Sequence, residues 1–122
     1  MAHGVGWFLE LPQEPSVYIA GDTILTDEVE RFLSDHRPDV AILPAGGARF
    51  DLGSEILMDA RDVCAAARLS EGIVIANHLE ALDHCPGTRA CVRQLAEADG
   101  LGARVRAPED GETARYELPV RA

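Results

Sequence analysis

The chain has 122 residues and a formal net charge of −10. All 11 basic residues are arginine, which excludes chemistry that needs an ammonium at a fixed place: a phosphate-loop lysine, a Schiff base or a receiver domain's switch lysine. Acids outnumber arginines 21 to 11 and no arginines form a run, so the phosphate neutralisation that nucleic acid demands is missing.

The length and the 47% hydrophobic content fit one globular domain. Three cysteines, Cys64, Cys85 and Cys91, make an odd count with no CxxC, which argues against a disulfide framework or a structural zinc knuckle. No apolar run is long enough to span a bilayer, and no basic segment followed by an apolar stretch opens the chain. The expectation is a cytoplasmic protein with no membrane partner.

Residues 5–11 predict a first strand, and the Pro12-Gln13-Glu14-Pro15 turn predicts a hairpin to a second strand over 16–20. A helix is expected over 26–37. Thr26 caps it, Asp27 and Glu28 suit its positive end, Val29, Phe32 and Leu33 make one apolar face, and Pro38 stops it. A third strand over 39–43 runs into a Gly-rich loop, and a second helix over 59–69 follows, with Asp59 and Asp62 in its first turn. The fourth strand is 73–76, then a loop, then a third helix over 88–99 closed by Gly100 and Gly102. Residues 103–107 and 113–118 predict two last strands around the Pro108-Glu109-Asp110-Gly111 turn. Cys64 and Cys91, both on helices, are expected in the core. VYIA, VAIL and IVIA are short unbroken apolar runs separated by helices, the pattern of strands buried in a parallel or mixed sheet. The class is α/β, or α+β by some schemes.

Each of those three strands runs into an unusual segment: Gly21-Asp22-Thr23, Pro44-Ala45-Gly46-Gly47 and Asn77-His78. Ligands in layered α/β sheets bind beyond the carboxyl ends of the strands, so Asp22, Gly46-Gly47 and His78 are expected to meet at one edge. Asp22 is a metal ligand or general base on one reading and an Asx-turn on the other. Taken alone, His78 fits a ligand or a hydrogen-bonded core histidine. Gly46 and Gly47 can offer backbone N–H groups to an anion or simply connect. His84, six residues after His78, is a second candidate on a loop, although the spacing is not the i, i+4 pair of a helical zinc site. A solvated surface position is the plainer reading for it.

A strand ending GDT, then PDVAILPAGG, MDARD and a strand-end histidine, in that order and spacing, closely resemble the second half of the metallo-β-lactamase superfamily. The best match is the branch of ascorbate-6-phosphate lactonase and related zinc-dependent hydrolases, and it spans nearly all of residues 5–118. The resemblance implies half of an αββα sandwich, with a mixed sheet and helices on one face. It implies that Asp22 is the metal-bridging aspartate and His78 the last histidine ligand, in a centre that is usually zinc, sometimes manganese or iron. The implied activity is metal-dependent hydrolysis of a small-molecule ester, lactone or phosphoester by activated water. A non-catalytic domain that dimerises or binds through the same fold is the alternative.

The superfamily's HxHxDH ligand motif is absent. Two expected ligands fall short of the three or so protein ligands that a catalytic zinc requires. Half a sandwich also leaves one sheet face without its usual cover. The expectation is therefore a homodimer packed sheet on sheet, or completion by a missing N-terminal half.

Overall fold

In a computed structural model, the structure describes residues 5–47, 58–79 and 88–118. His3, His84 and Cys85 lie outside the described residues. The described elements are β1 (Trp7–Leu9), β2 (Val17–Ile19), α1 (Asp27–His36), β3 (Val40–Pro44), α2 (Ala60–Ser70), β4 (Ile73–Asn77), α3 (Arg89–Ala98) and β5 (Val105–Arg106).

The five strands form one sheet in the order β1-β2-β3-β4-β5. β1 pairs antiparallel with β2, and the remaining neighbours pair in parallel. Each parallel step passes through one helix and moves one strand further in the same direction. Crossovers of one hand then place all three helices on the same face.

The registers divide the sheet into two faces. Phe8, Tyr18, Ala41, Val74 and Val105 stand in one row across all five strands. This row faces the helices: Tyr18, Ala41, Val74 and Val105 are buried in one core with Leu33 of α1, Val63 and Ala67 of α2, and Val92 and Ala96 of α3, and Phe8 packs against it. Phe8 and Tyr18 both meet the Phe32 ring, with centroids 5.2 and 4.6 Å away. Burial pushes the Tyr18 phenol above its ordinary pKa. The alternate positions Trp7, Ile19, Ile42, Ile75 and Arg106 form the row on the opposite face. None of these five is fully buried, and Trp7 is 62% exposed. The expected mixed sheet with helices on one face is what the chain forms.

Local signals in the sequence account for the helix ends. Thr26 Oγ1 accepts from the Val29 N–H, and the chain leaves α1 at Arg37 with φ +42° just before Pro38. Asp59 and Asp62 do more than answer a dipole. Asp59 is the N-cap of α2, its carboxylate accepts from the Asp62 N–H at 2.9 Å, and Asp62 returns the bond at 3.2 Å. This reciprocal pair is a capping box with an aspartate in the third position. Arg104 closes the other end of α2, donating to the Ala67 and Gly72 carbonyls at 2.9 Å each.

Two expectations fail. Residues 113–118 are not a strand, and β5 pairs in parallel with β4 rather than in a terminal hairpin. Arginine contacts explain this: Arg89 donates to the Pro108 carbonyl and Asp110, and Arg93 to the Ala107 carbonyl and Glu109. These bonds tie the turn to α3 and direct the chain away from β5. Cys91 is exposed rather than in the core, because α3 turns its Val92 and Ala96 stripe to the sheet; Cys64 is buried as expected.

Ser70, 1% exposed at the end of α2, has a hydroxyl with no hydrogen-bond partner among the described residues. An orphaned buried hydroxyl costs roughly 1–3 kcal/mol, and alanine is also the better helix former. Ser70→Ala is expected to raise the free energy of unfolding measured in urea by about 1 kcal/mol, and with it the midpoint. A lower midpoint would mean that the hydroxyl has a stabilising partner.

Candidate metal-binding edge

The carboxyl ends of β2, β3 and β4 meet at one edge, as the order of their loops predicts. Backbone hydrogen bonds stitch the loops together. The Met58 N–H donates to the Thr23 carbonyl at 3.0 Å, the Gly47 N–H to the Met58 carbonyl at 2.9 Å, and the Ala45 N–H to the Asn77 carbonyl at 2.9 Å. Met58 is fully buried and anchors this stitch in the core, next to the Asp59 cap.

Asp22 and His78 sit at the two sides of that edge, after β2 and β4. The His78 Nε2 stands 3.7 Å from the Asp22 Oδ1. His78 takes φ +58°, a left-handed conformation uncommon outside glycine. The turn ends β4 and carries the imidazole to Asp22, which lies on the far side of β3. Gly21, at φ +73°, makes the matching turn after β2, and a Cβ there would come 3.3 Å from the Val5 carbonyl. Two left-handed residues, one on each flank, aim these side chains at each other, and such backbone outliers concentrate at functional sites.

The separation suits shared coordination. Two ligands held at ~2.0–2.2 Å by a tetrahedral zinc stand about 3.3–3.6 Å apart. A gap of 3.7 Å is long for a direct hydrogen bond and close to that spacing. Asp22 has 76% of its side chain exposed and His78 has 29%, so the carboxylate faces solvent while the imidazole is half sunk in the edge. The donor set fits a metal in kind and falls short in number: among the described residues no group of three or more His, Cys, Asp or Glu side chains converges.

Gly46 and Gly47 are both buried, and the Gly47 N–H is taken by Met58. Gly47, at φ +65°, turns the loop that follows β3. The sequence reading missed the part played by Met58 and Thr23. The only hint was the place of Met58 directly before a helix cap.

No family model matches the chain. Among curated proteins, the UPF0173 protein YddR of Bacillus subtilis (strain 168) is 29% identical over 110 residues, 88% of this chain and 43% of that protein. Among solved structures, the isothiocyanate hydrolase from Delia radicum gut bacteria superposes with a TM-score of 0.86 at 30% identity, over 93% of this chain and 44% of that one. A possible metal-dependent hydrolase from Veillonella parvula gives 0.81 at 33% identity, over 89% and 42%. The metallo-β-lactamase fold protein YhfI from Bacillus subtilis gives 0.57 at 15% identity over 80% and 38%, a likeness of fold alone. The chain spans less than half the length of each of these proteins. The expected resemblance to metallo-β-lactamase fold proteins is borne out in fold, and the share of their length that the chain covers is that of a half.

Proposed function

We propose that this chain is the metal-binding half of a metal-dependent hydrolase, with Asp22 and His78 as its contribution to the metal centre. The observation that carries this reading is the 3.7 Å approach of Asp22 to His78 across β3, held by left-handed turns at Gly21 and His78. A divalent metal there, zinc on the family pattern with manganese or iron as variants, would supply a Lewis acid that lowers the pKa of a water. Asp22, the more exposed of the two, is placed to orient that water and His78 to fix the metal on the β4 side. The substrate class is a small electrophile such as an ester, lactone or phosphoester. Likeness to a protein named as an isothiocyanate hydrolase adds isothiocyanates to the compounds worth assaying. Two ligands do not complete a catalytic site, so at least one more is supplied from outside the described residues. That shortfall favours a second reading, a domain that has kept the fold and binds or dimerises without catalysis.

The test is metal content of the purified chain after dialysis against zinc, beside Asp22→Ala and His78→Ala. The wild-type chain is expected to retain metal, and each substitution to weaken binding tenfold or more. Retention unaffected by both substitutions would end the metal-centre reading.

A further inference from the structure

The two cysteines among the described residues lie on neighbouring helices, and the metal reading uses neither. α2 and α3 each carry the chain back between parallel strands, so they run side by side in one direction and pack on each other. An ion pair spans the groove between them: Arg68 Nη2 stands 2.6 Å from Asp99 Oδ2. Cys64 is one turn before Arg68, and Cys91 is two turns before Asp99, with Leu95 between. Residues one turn apart share a helix flank. The ion pair therefore puts Cys64 and Cys91 on the two flanks that face each other, and the length of the arginine side chain makes up the difference of one turn. Ala67 and Ala96 are buried in the core that α2 and α3 share. Helices packed through small side chains approach to about 8 Å between axes. Facing Cα atoms then come within the ~4.4–6.8 Å that a disulfide spans. The two sulfurs also sense each other. Burial pushes the Cys64 thiol above its ordinary pKa, the Asp99 carboxylate and Cys91 add to the rise, and Arg68 opposes it.

We propose that Cys64 and Cys91 form a reversible disulfide that braces α2 to α3, made by exchange with a small-molecule disulfide. Their exposure assigns the steps. Cys91 is open to solvent and Cys64 is 1% exposed, so the outer thiol reacts first. The Cys91 thiolate attacks one sulfur of the small disulfide, a mixed disulfide forms, and one small thiolate leaves. Cys64 then loses its proton and attacks the Cys91 sulfur, and the second small thiolate leaves. The protein gives up two electrons and two protons, and the small disulfide is reduced to two thiols. Excess small thiol reverses both steps. The bridge has a defined place in the fold. α2 starts at the Asp59 cap, next to the Met58 stitch, and α3 starts at the Thr88 cap, on the chain that leaves His78. The brace therefore joins the helices that follow β3 and β4, two of the three strands whose ends form the metal-binding edge. It belongs to the helix side of the sheet and holds whether or not metal binds.

The test is incubation of the 122-residue chain with glutathione disulfide in EDTA, which keeps metal off the thiols, followed by tryptic digestion without reduction. Cleavage after Arg61, Arg68, Arg89 and Arg93 leaves Cys64, Cys85 and Cys91 on separate peptides. Residues 62–68 are expected to be linked to residues 90–93, in a chain of monomer mass that has lost two thiol hydrogens. Dithiothreitol is expected to restore both thiols. Cys85→Ser is expected to form the same link. Cys64→Ser is expected to stop at a glutathione adduct on Cys91, and Cys91→Ser to keep Cys64 as a free thiol. The bridge closes the segment between positions 64 and 91 in the unfolded chain, so the oxidised form is expected to unfold about 5–10 °C higher than the reduced form. A glutathione adduct that persists on Cys91 beside a free Cys64 would overturn the proposal. So would a link through Cys85, a dimer joined Cys91 to Cys91, or a bridged chain with a lower unfolding midpoint, which would mean that the packing does not present the two sulfurs to each other.

Discussion

Gly72→Ala is expected to destabilise the fold by roughly 2–3 kcal/mol, at the upper end for a small overpacking change. Gly72 joins α2 to β4, and its φ is not left-handed, so the demand for glycine there is spatial. A Cβ would stand 2.5 Å from the Asp39 carbonyl oxygen and 2.5 Å from that of Pro38. Neither can retreat. The Asp39 carbonyl accepts the Ile73 N–H that opens the β3–β4 ladder. The Asp39 carboxylate accepts from the Ser16 N–H and hydroxyl, and its own N–H donates back to Ser16 Oγ. Pro38 is fully buried. Alanine also stiffens the unfolded chain, a gain of about 0.4–1 kcal/mol that reduces the net loss without reversing it. Thermal unfolding by circular dichroism is the measurement, and the midpoint should fall by about 10 °C. An unchanged midpoint would show that the β2–β3–β4 corner yields more readily than its hydrogen bonds indicate.

That corner also shows which parts of the fold were legible in the residues. The unbroken VYIA, VAIL and IVIA runs announce strands buried in a layered sheet, and they became β2, β3 and β4. Thr26, Pro38 and Thr88 mark helix ends through local chemistry that a sequence displays directly. The terminal hairpin was misread because the pattern over 113–118 suits a strand, while the contacts that forbid one come from Arg89 and Arg93 on another element. Cys91 was misplaced for a related reason. Its helix has a clear apolar stripe, but which residues flank the stripe depends on how the helix rolls against the sheet.

The candidate site was legible as a convergence of strand ends and not as a geometry. Strand order puts the segments after β2, β3 and β4 at one edge, and Asp22 and His78 follow from that. Their approach across β3 depends on left-handed turns, which glycine advertises at position 21 and histidine conceals at position 78. The stitch through Met58 had no sequence signal of its own, because backbone hydrogen bonds between loops leave no mark on side-chain identity.

Leu43→Ala is expected to cost about 3–4 kcal/mol, against less than about 1.5 kcal/mol for the volume-conserving Leu43→Met. Leu43 lies on β3 with its side chain fully buried on the helix side, opposite Ala76 in the ladder. The core around it is rich in alanine: Ala41, Ala45, Ala66, Ala67, Ala76 and Ala96 are all buried. Alanines let the helices lie close on the sheet, and they have no rotamer with which to fill a hole. Leu43 is among the largest fully buried side chains, with Leu33 and Met58, so its removal leaves a cavity that the alanines around it cannot fill. Its position gives the loss a functional reading. Leu43 directly precedes Pro44, whose ladder partner Asn77 precedes His78. The same packing that stabilises the fold therefore holds the strand ends that bring His78 to Asp22. Urea unfolding should separate the two variants by 2 kcal/mol or more. Equal midpoints for alanine and methionine would show that the core closes around the missing side chain, and that the edge carrying Asp22 and His78 does not owe its shape to Leu43.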